Sequence, residues 1–179
     1  MRPVVLYTLL SLDGVAEAPD EFVLDWDDEL DANLAEVIGQ QDAVLLGRQM
    51  YDEWSQHWPG SDMQPFAPFI NGVQKYVFTS GELDRDWSRT TVVGQPAEEF
   101  VAELKRTDGG AIGVHGSIGL ARSLLRAGLV DELRLVVSSV STGSGRRLFE
   151  DTGLRRWRLV DAESTPSGAM MLHYGRLAA

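Results

Sequence analysis

The stretch AVLLGRQMYDEW, Ala43 to Trp54, changes character in its middle. Its apolar run, Val44 to Leu46, is of the kind that fills a buried strand, and Gly47 interrupts that run. Arg48 then opens an amphipathic segment, so a charged side chain stands where a strand ends and a helix begins. The junction therefore predicts a buried strand that ends at Leu46 and a helix that begins at Arg48.

Short apolar runs recur along the chain and alternate with helical patterns. Eight of these runs are predicted strands: Val4–Leu10, Ala43–Leu46, Lys75–Thr79, Thr90–Val93, Ala111–Val114, Glu132–Ser138, Trp157–Ala162 and Met170–Leu177. Besides the helix that Arg48 opens, three predicted helices have capping or charge signals at their ends: Asp27–Ile38, Pro96–Arg106 and Ser117–Ala127. This alternation predicts one α/β domain, residues 1–179, with a mixed, mainly parallel sheet of about eight strands and helices on both faces.

Two details of the order refine that prediction. The last three strands follow one another without a helix, so the C-terminal end of the sheet is expected to turn antiparallel. The segment Ser55–Pro68 contains three prolines and is expected to be the longest loop.

Composition excludes several classes of function. The chain has no cysteine, which excludes disulfides, thiolate metal sites and cysteine nucleophiles, and its three histidines are scattered, so no metal site is indicated. Its formal charge is −11, and no basic cluster suits a nucleic-acid partner. No apolar run approaches the roughly 20 residues of a membrane span. We therefore expect a cytoplasmic protein that acts on a small molecule.

Three predicted strand ends carry groups that could hold an anion. Gly47 and Arg48 follow the first, the hydroxyls of Thr79 and Ser80 follow the second, and the third lies in GVHGSIG, Gly113 to Gly119. Ligands of open α/β sheets bind beyond the carboxyl ends of the strands. There, the backbone N–H groups of glycines and helix N-termini donate hydrogen bonds to anionic oxygens. Three such ends on one small sheet predict a dinucleotide with two or three phosphates.

Each of these features also has an ordinary structural explanation. Ser117 could simply cap a helix, and Arg48 could pair with Asp52 or Glu53 on its own helix. The glycine motifs do not fit a Rossmann fingerprint, a P-loop or a serine-hydrolase elbow. His115 alone suits a structural role better than a catalytic one.

Five motifs occur here in an order that resembles a known family. They are SLDG, LLGRQMYDEW with the following HWP, KYVFTS, VHGSIGLARSLLRAGLVDELRL and TGSGRRLF. The order resembles that of the dihydrofolate reductase-like family, specifically the reductase domain of the bifunctional riboflavin-biosynthesis deaminase–reductase and its stand-alone bacterial relatives. The resemblance extends from Val4 to about Leu148. It implies a three-layer fold with a mixed, mainly parallel eight-stranded sheet flanked by helices, NADPH as hydride donor, and a homodimer.

The resemblance also assigns cofactor-binding positions. Those implied to meet the cofactor phosphates are Gly47, Arg48 and Gln49, with Thr79 and Ser80 near the adenosine 2′-phosphate. Those implied to meet the pyrophosphate and nicotinamide side are Gly116, Ser117 and Ile118. Ser11 begins the SLDG motif, which is implied to lie between the nicotinamide and the substrate.

Candidate substrate-side residues are acidic or aromatic. Asp13 is the first candidate to hydrogen-bond an aminopyrimidine or pterin edge or to relay a proton. Asp25 and Asp27 come next, although helix capping is the preferred explanation for both. Trp54 and Trp58 could line a pocket for a flat ring, although aromatic residues at helical spacing more often belong to the core.

Several positions depart from the family pattern. Val15 and Ala16 follow SLDG where basic or polar residues are usual, and Met50 stands where threonine is common. The chain lacks the zinc-binding cysteines of a deaminase domain. The sequence therefore predicts an NADPH-dependent reductase of a small nitrogen heterocycle, similar to 5-amino-6-(5-phosphoribosylamino)uracil reductase. The alternatives are a non-catalytic NADPH-binding relative and a folate or pterin reductase, which needs an arginine on the substrate side that the sequence does not identify.

Overall fold

One eight-stranded sheet organises the computed structural model, which describes residues 1–177. The strands are β1 Val4–Leu10, β2 Gln41–Gly47, β3 Gln74–Phe78, β4 Thr90–Val93, β5 Ala111–His115, β6 Glu132–Val137, β7 Trp157–Ser164 and β8 Met170–Arg176. The helices are α1 Asp28–Gly39, α2 Arg48–His57, α3 Phe66–Gly72, α4 Ala97–Leu104 and α5 Ile118–Arg126. None of these helices has both the length and the apolarity needed to cross a membrane, as far as residues 1–177 are concerned.

The strand order across the sheet is β4-β3-β2-β5-β1-β6-β8-β7. The first six in this order pair in parallel, whereas β8 pairs antiparallel with both β6 and β7. The predicted mixed sheet and its antiparallel C-terminal end are therefore confirmed.

Strict alternation of side chains gives the sheet two buried faces. On β1, Val5 and Tyr7 pack on the side of α1, α2 and α3, while Val4 and Leu6 pack on the side of α4 and α5. Because successive side chains of a strand point to opposite faces, a continuous apolar run such as VVLYTLL is buried only when helices cover both. The result is a three-layer arrangement.

The segment predicted to be the longest loop is largely helical, so that prediction is wrong. Helix α2 continues to His57, a 3-10 turn covers Trp58–Gly60, and α3 begins at Phe66. The prolines mark the ends of these short elements instead of an extended loop. Phe66 and Ile70 of α3 are buried against the sheet, so apolar burial decides the structure of this segment.

The parallel register brings the predicted strand ends to one edge. Gly47 of β2 lies opposite Phe78 of β3, and Leu45 of β2 lies opposite Val114 of β5. The residues that follow β2, β3 and β5 are therefore neighbours at the carboxyl edge of the sheet.

Candidate functional site

The first and third strand ends touch each other. Gly47 N–H donates a hydrogen bond to Ser117 Oγ over 3.1 Å. Ser117 occupies the N-cap position of α5, but its hydroxyl is committed to Gly47 instead of the first turn of its own helix. The predicted N-cap position of Ser117 is therefore confirmed, but its side chain does not cap α5 and instead links β2 to α5.

The second strand end completes the same edge. Gly81 N–H donates to Thr79 Oγ1 over 3.1 Å, and Arg48 Nη1 lies 3.5 Å from the point that a Cβ on Gly81 would occupy. Ser80 is exposed between them. We define the carboxyl rim as the backbone and side chains that follow β2, β3 and β5. It brings together the phosphate-side residues that the sequence singled out.

The guanidinium of Arg48 is balanced by two carboxylates. Its Nε donates to both oxygens of Asp52 over 2.8 Å, and Nη2 donates to Asp84 Oδ2 over 2.9 Å. Nη1 donates to the carbonyl of Glu82 over 2.6 Å. Hydrogen bonding to Asp52 raises the pKa of Arg48 further. The alternative of pairing along the helix is thus observed, and one N–H remains on each terminal nitrogen. Gln49 is exposed and donates to Glu53 over 3.0 Å.

The turn at Gly116 requires a glycine. Its φ of +77° is in the left-handed region, and a Cβ there would lie 2.8 Å from Met50 Cε and 3.7 Å from Trp54 Cζ2. Met50 and Trp54 therefore form a wall beside this turn. The side chain of Ile118 is buried in the core, so this residue can offer the rim only its backbone N–H at the start of α5.

A buried histidine precedes the turn. His115 Nε2 is 2.8 Å from Gln41 Oε1, and burial lowers the pKa of His115 to about 3. The ring is therefore neutral at physiological pH. It packs against Tyr7 with ring centroids 5.7 Å apart, as a core residue beneath the rim.

The carboxylate of Asp13 is saturated with donors. Oδ1 accepts from Ser11 Oγ over 2.7 Å and from Thr142 N–H over 3.0 Å, and Oδ2 accepts from Gly143 N–H over 3.0 Å. The hydrogen bond from Ser11 is the largest contribution that lowers the pKa of Asp13, to about 2. This geometry favours a role in positioning the loop over proton donation. Ser11 is buried and also accepts from Val15 N–H, so it too acts on the loop.

The other two candidate aspartates separate in space. Asp27 caps α1 by accepting from Leu30 N–H over 2.9 Å, and it also accepts from Ser167 N–H over 3.0 Å. Partial burial works to raise the pKa of Asp27, but these backbone N–H groups lower it to about 2. Asp25 is exposed. Capping therefore accounts for Asp27, while a substrate role for either residue stays a prediction.

Trp54 and Trp58 belong to an aromatic cluster. Their ring centroids are 5.9 Å apart, and Phe66 lies 5.4 Å from Trp54 and 4.9 Å from Trp58, with edge-to-face geometry throughout. Both indoles are partly buried against the core under α2 and α3. Trp54 also reaches the Gly116 turn, which supports its proposed contact with a ligand.

Tyr7, Asp31 and Arg147 are further polar residues near the site that the sequence analysis did not single out. Tyr7 Oη is buried and has no hydrogen-bond partner among residues 1–177. Burial, followed by the charge of Asp31 on α1, raises the pKa of Tyr7 above its ordinary value. Arg147 Nε donates to the carbonyl of Asp13 over 3.1 Å, and its Nη2 is 3.6 Å from the Asp13 carboxylate. The available sequence signals were the tyrosine inside the apolar run VVLYTLL and the two arginines of TGSGRRLF.

Comparison with known proteins identifies a family and a relative that match almost the whole chain. Residues 2–171 match the profile of the RibD C-terminal domain family. An uncharacterized protein of Bacillus subtilis (strain 168), YyaP, is 29% identical over 97% of this chain and 94% of its own.

Solved structures share the fold at low sequence identity. A protein of Shewanella sp. PV-4 that is described as a riboflavin biosynthesis protein superposes with a TM-score of 0.78 at 14% identity. The match covers 98% of this chain and 99% of that one. A pyrimidine reductase-like protein of Corynebacterium diphtheriae gives 0.70 at 14% identity, covering 99% and 93%.

The third structure is the diaminohydroxyphosphoribosylaminopyrimidine deaminase/5-amino-6-(5-phosphoribosylamino)uracil reductase of Thermotoga maritima. It gives a TM-score of 0.67 at 16% identity, and the match covers 98% of this chain but 57% of that longer protein. The resemblance drawn from the five motifs is confirmed: the chain belongs to the RibD C-terminal domain family, the reductase-domain family of riboflavin biosynthesis.

Proposed function

We propose that the protein is an NADPH-dependent reductase of a small nitrogen heterocycle. The observation that carries the proposal is the convergence of three anion-suited strand ends on the carboxyl rim, fixed by the 3.1 Å contact between Gly47 N–H and Ser117 Oγ. On a chain of formal charge −11, such a site must be built locally, from backbone N–H groups and a few positive side chains.

The rim fits a dinucleotide in shape and in donor chemistry. Gly47 and Gly81 present backbone without a Cβ, which allows a polyphosphate to approach closely, whereas Met50 fills the position of the missing Cβ at Gly116. Helices α2 and α5 both begin at the rim, and the N–H groups of a first helical turn have no partner within their own helix. Arg48 adds a planar guanidinium between β2 and the Thr79–Gly81 turn.

When bound, NADPH supplies the hydride, and the protein supplies binding, orientation and dryness. Met50 and Trp54 line the Gly116 turn with apolar surface, which would exclude water from that side of the site. Tyr7 and Asp31 place a buried phenol and a carboxylate on the same face of the sheet, suited to the N–H and carbonyl groups of a heterocycle. Asp13 holds the loop that follows β1.

A sugar-phosphate substituent on the substrate would find positive charge on a neighbouring loop. Arg146 and Arg147 flank the loop after β1, where Arg146 Nε binds Glu17 over 2.8 Å and Arg147 pairs with Asp13. About half of each side chain is exposed. These arginines supply the charge that Val15 and Ala16 lack. They support a substrate similar to the phosphoribosylaminouracil named for the Thermotoga maritima enzyme.

Titration calorimetry with NADPH, followed by turnover with 5-amino-6-(5-phosphoribosylamino)uracil, tests the proposal. We expect binding by the wild-type protein, substrate-dependent loss of absorbance at the nicotinamide wavelength, and weaker binding by a Gly116→Ala/Arg48→Leu variant. Gly39→Ala, at the end of α1 and away from the carboxyl rim, is the matched glycine control, since nothing lies within 4 Å of a Cβ there. Absence of NADPH binding would refute the proposal, and binding without turnover of any aminopyrimidine or pterin would favour the non-catalytic relative. The proposal includes a homodimer, measurable by light scattering as twice 19.7 kDa.

A further inference from the structure

The carboxylates of Asp52 and Asp84, which bind Arg48, affect whether the carboxyl rim prefers NADPH or NADH. We propose that Asp84 is a specificity-determining residue: it occupies the edge of Arg48 that an adenosine 2′-phosphate would use, and so shifts preference from NADPH toward NADH. The inference rests on the proposed function, because it concerns the affinity of the same rim. It adds a role for a side chain that lies outside the motifs.

Asp52 and Asp84 hold Arg48 in different ways. Asp52 binds Nε with both oxygens from one turn further along α2, which fixes the direction of the guanidinium. Asp84 reaches Nη2 from the loop after β3, with 86% of its side chain exposed. An exposed pair of this kind contributes little to stability and exchanges readily with other anions. Asp84 is therefore the carboxylate that a ligand can displace.

NADPH and NADH differ only at the adenosine 2′ position. A 2′-phosphate carries up to two negative charges and pairs well with a guanidinium, but it must then replace Asp84 and tolerate its charge nearby. A free 2′-hydroxyl is a neutral donor, which a carboxylate accepts. Asp84 therefore lowers the affinity for NADPH and leaves the affinity for NADH unchanged or raises it.

The expected size follows from Coulomb's law. Two unit charges about 4 Å apart in water repel enough to change a binding constant roughly fivefold, and the higher charge of a phosphate raises this to about tenfold or more. The effect should weaken in high salt, because both groups are exposed at the surface.

The test compares Asp84→Asn with Asp86→Asn, which removes the same charge from an exposed residue two positions along the same loop. Dissociation constants for NADPH and NADH are measured by titration calorimetry at low and high salt, with thermal melting of each free protein as the folding check. We expect Asp84→Asn to tighten NADPH binding about tenfold, with unchanged or weaker NADH binding, whereas Asp86→Asn should leave the NADPH/NADH ratio unchanged. Adding Arg48→Leu to Asp84→Asn should abolish the gain.

The outcomes separate the two proposals. If wild-type protein does not bind NADPH, the proposed function fails. If it binds NADPH but Asp84→Asn leaves the ratio of the NADPH and NADH dissociation constants unchanged, or Asp86→Asn shifts it equally, the role of Asp84 is overturned while the reductase proposal stands. If Asp84→Asn melts far below wild type, Asp84→Ser is measured in its place and judged by the same ratio.

Discussion

Asp13 and Thr142 are joined across 129 positions of the chain, because Asp13 Oδ1 accepts the Thr142 N–H over 3.0 Å. The other oxygen accepts from Gly143 N–H, also over 3.0 Å. One carboxylate thus binds the loop after β1 to the loop after β6, at the edge of the sheet where the candidate site lies. The position of the loop after β1 therefore depends on a contact distant in sequence.

Replacing Asp13 with Asn should loosen both loops. The neutral amide is a weaker acceptor and offers one oxygen where the carboxylate offers two, so amide protons of Thr142 and Gly143 should exchange faster. Hydrogen exchange read by mass spectrometry measures this, with Asp25→Asn as an exposed control of equal charge change. Unchanged exchange in the 138–148 loop would contradict the prediction.

The same carboxylate has a defined pH dependence. Hydrogen bonds from Ser11, Thr142 and Gly143 lower the pKa of Asp13 to about 2, below the ordinary 3.8. Since the folded-state pKa is depressed, the stabilisation is complete above about pH 4 and is lost as the pH falls toward 2. Any reductase activity should therefore show no ionisation of Asp13 between pH 5 and 8, in wild type or in a comparison with Asp13→Asn. An acidic limb in that range that disappears in the variant would restore Asp13 as a proton donor.

Alanine substitutions at Gly116 and Gly119 should change the unfolding free energy in opposite directions, the first through backbone strain and the second through helix propensity. Gly116→Ala places a Cβ at φ +77° and 2.8 Å from Met50 Cε, so we expect a loss of about 1–2 kcal/mol in unfolding free energy, mostly from the backbone because methionine can move. Gly119→Ala lies inside α5 with open space around the Cβ and should instead gain about 0.5–1 kcal/mol. Urea denaturation of both variants measures the contrast. Adding Met50→Ala should restore little of the loss at Gly116.

The fold followed from local signals, whereas much of the site did not. Alternating burial and glycine at strand ends are properties of neighbouring residues, which is why the junction at Gly47 located both β2 and α2. The pairing of Arg48 with Asp84 depends on the loop after β3, thirty-six positions away, and leaves no periodic trace. The link between Asp13 and Thr142 is longer still.

Helix α3 and the role of Asp31 were missed because both depend on contacts with residues distant in sequence. Helix α3 lacks a strong capping residue and is only seven residues long, so tertiary burial of Phe66 and Ile70 stabilises it where sequence propensity does not. Asp31 sits among other acidic residues of α1, and only the position of Tyr7 distinguishes it.

His115 should make the protein sensitive to acid. Burial lowers the pKa of His115 from 6.5 to about 3. Between these two pH values the imidazole is protonated in the unfolded chain and neutral in the folded protein. Stability is therefore full above about pH 6.5 and falls as the pH drops, by up to about 1.4 kcal/mol per pH unit from this group. His115→Gln should flatten the dependence between pH 6.5 and 4, measured by urea denaturation. An equal slope in both proteins would show that the ring is not buried in its neutral form.

Ser117 offers the most direct test of the rim. Its Oγ, nearly buried, accepts the Gly47 N–H, so Ser117→Ala leaves that N–H without its partner and should cost about 1–3 kcal/mol. Ser117→Thr keeps the hydroxyl and should recover most of this loss, which separates hydrogen bonding from side-chain volume. Because the bond joins β2 to α5, the alanine variant should also weaken NADPH binding by more than its loss of stability explains. Chemical denaturation and calorimetric titration of the two variants measure these effects. Equal losses in alanine and threonine variants would mean that the hydroxyl does not tie the two strand ends together.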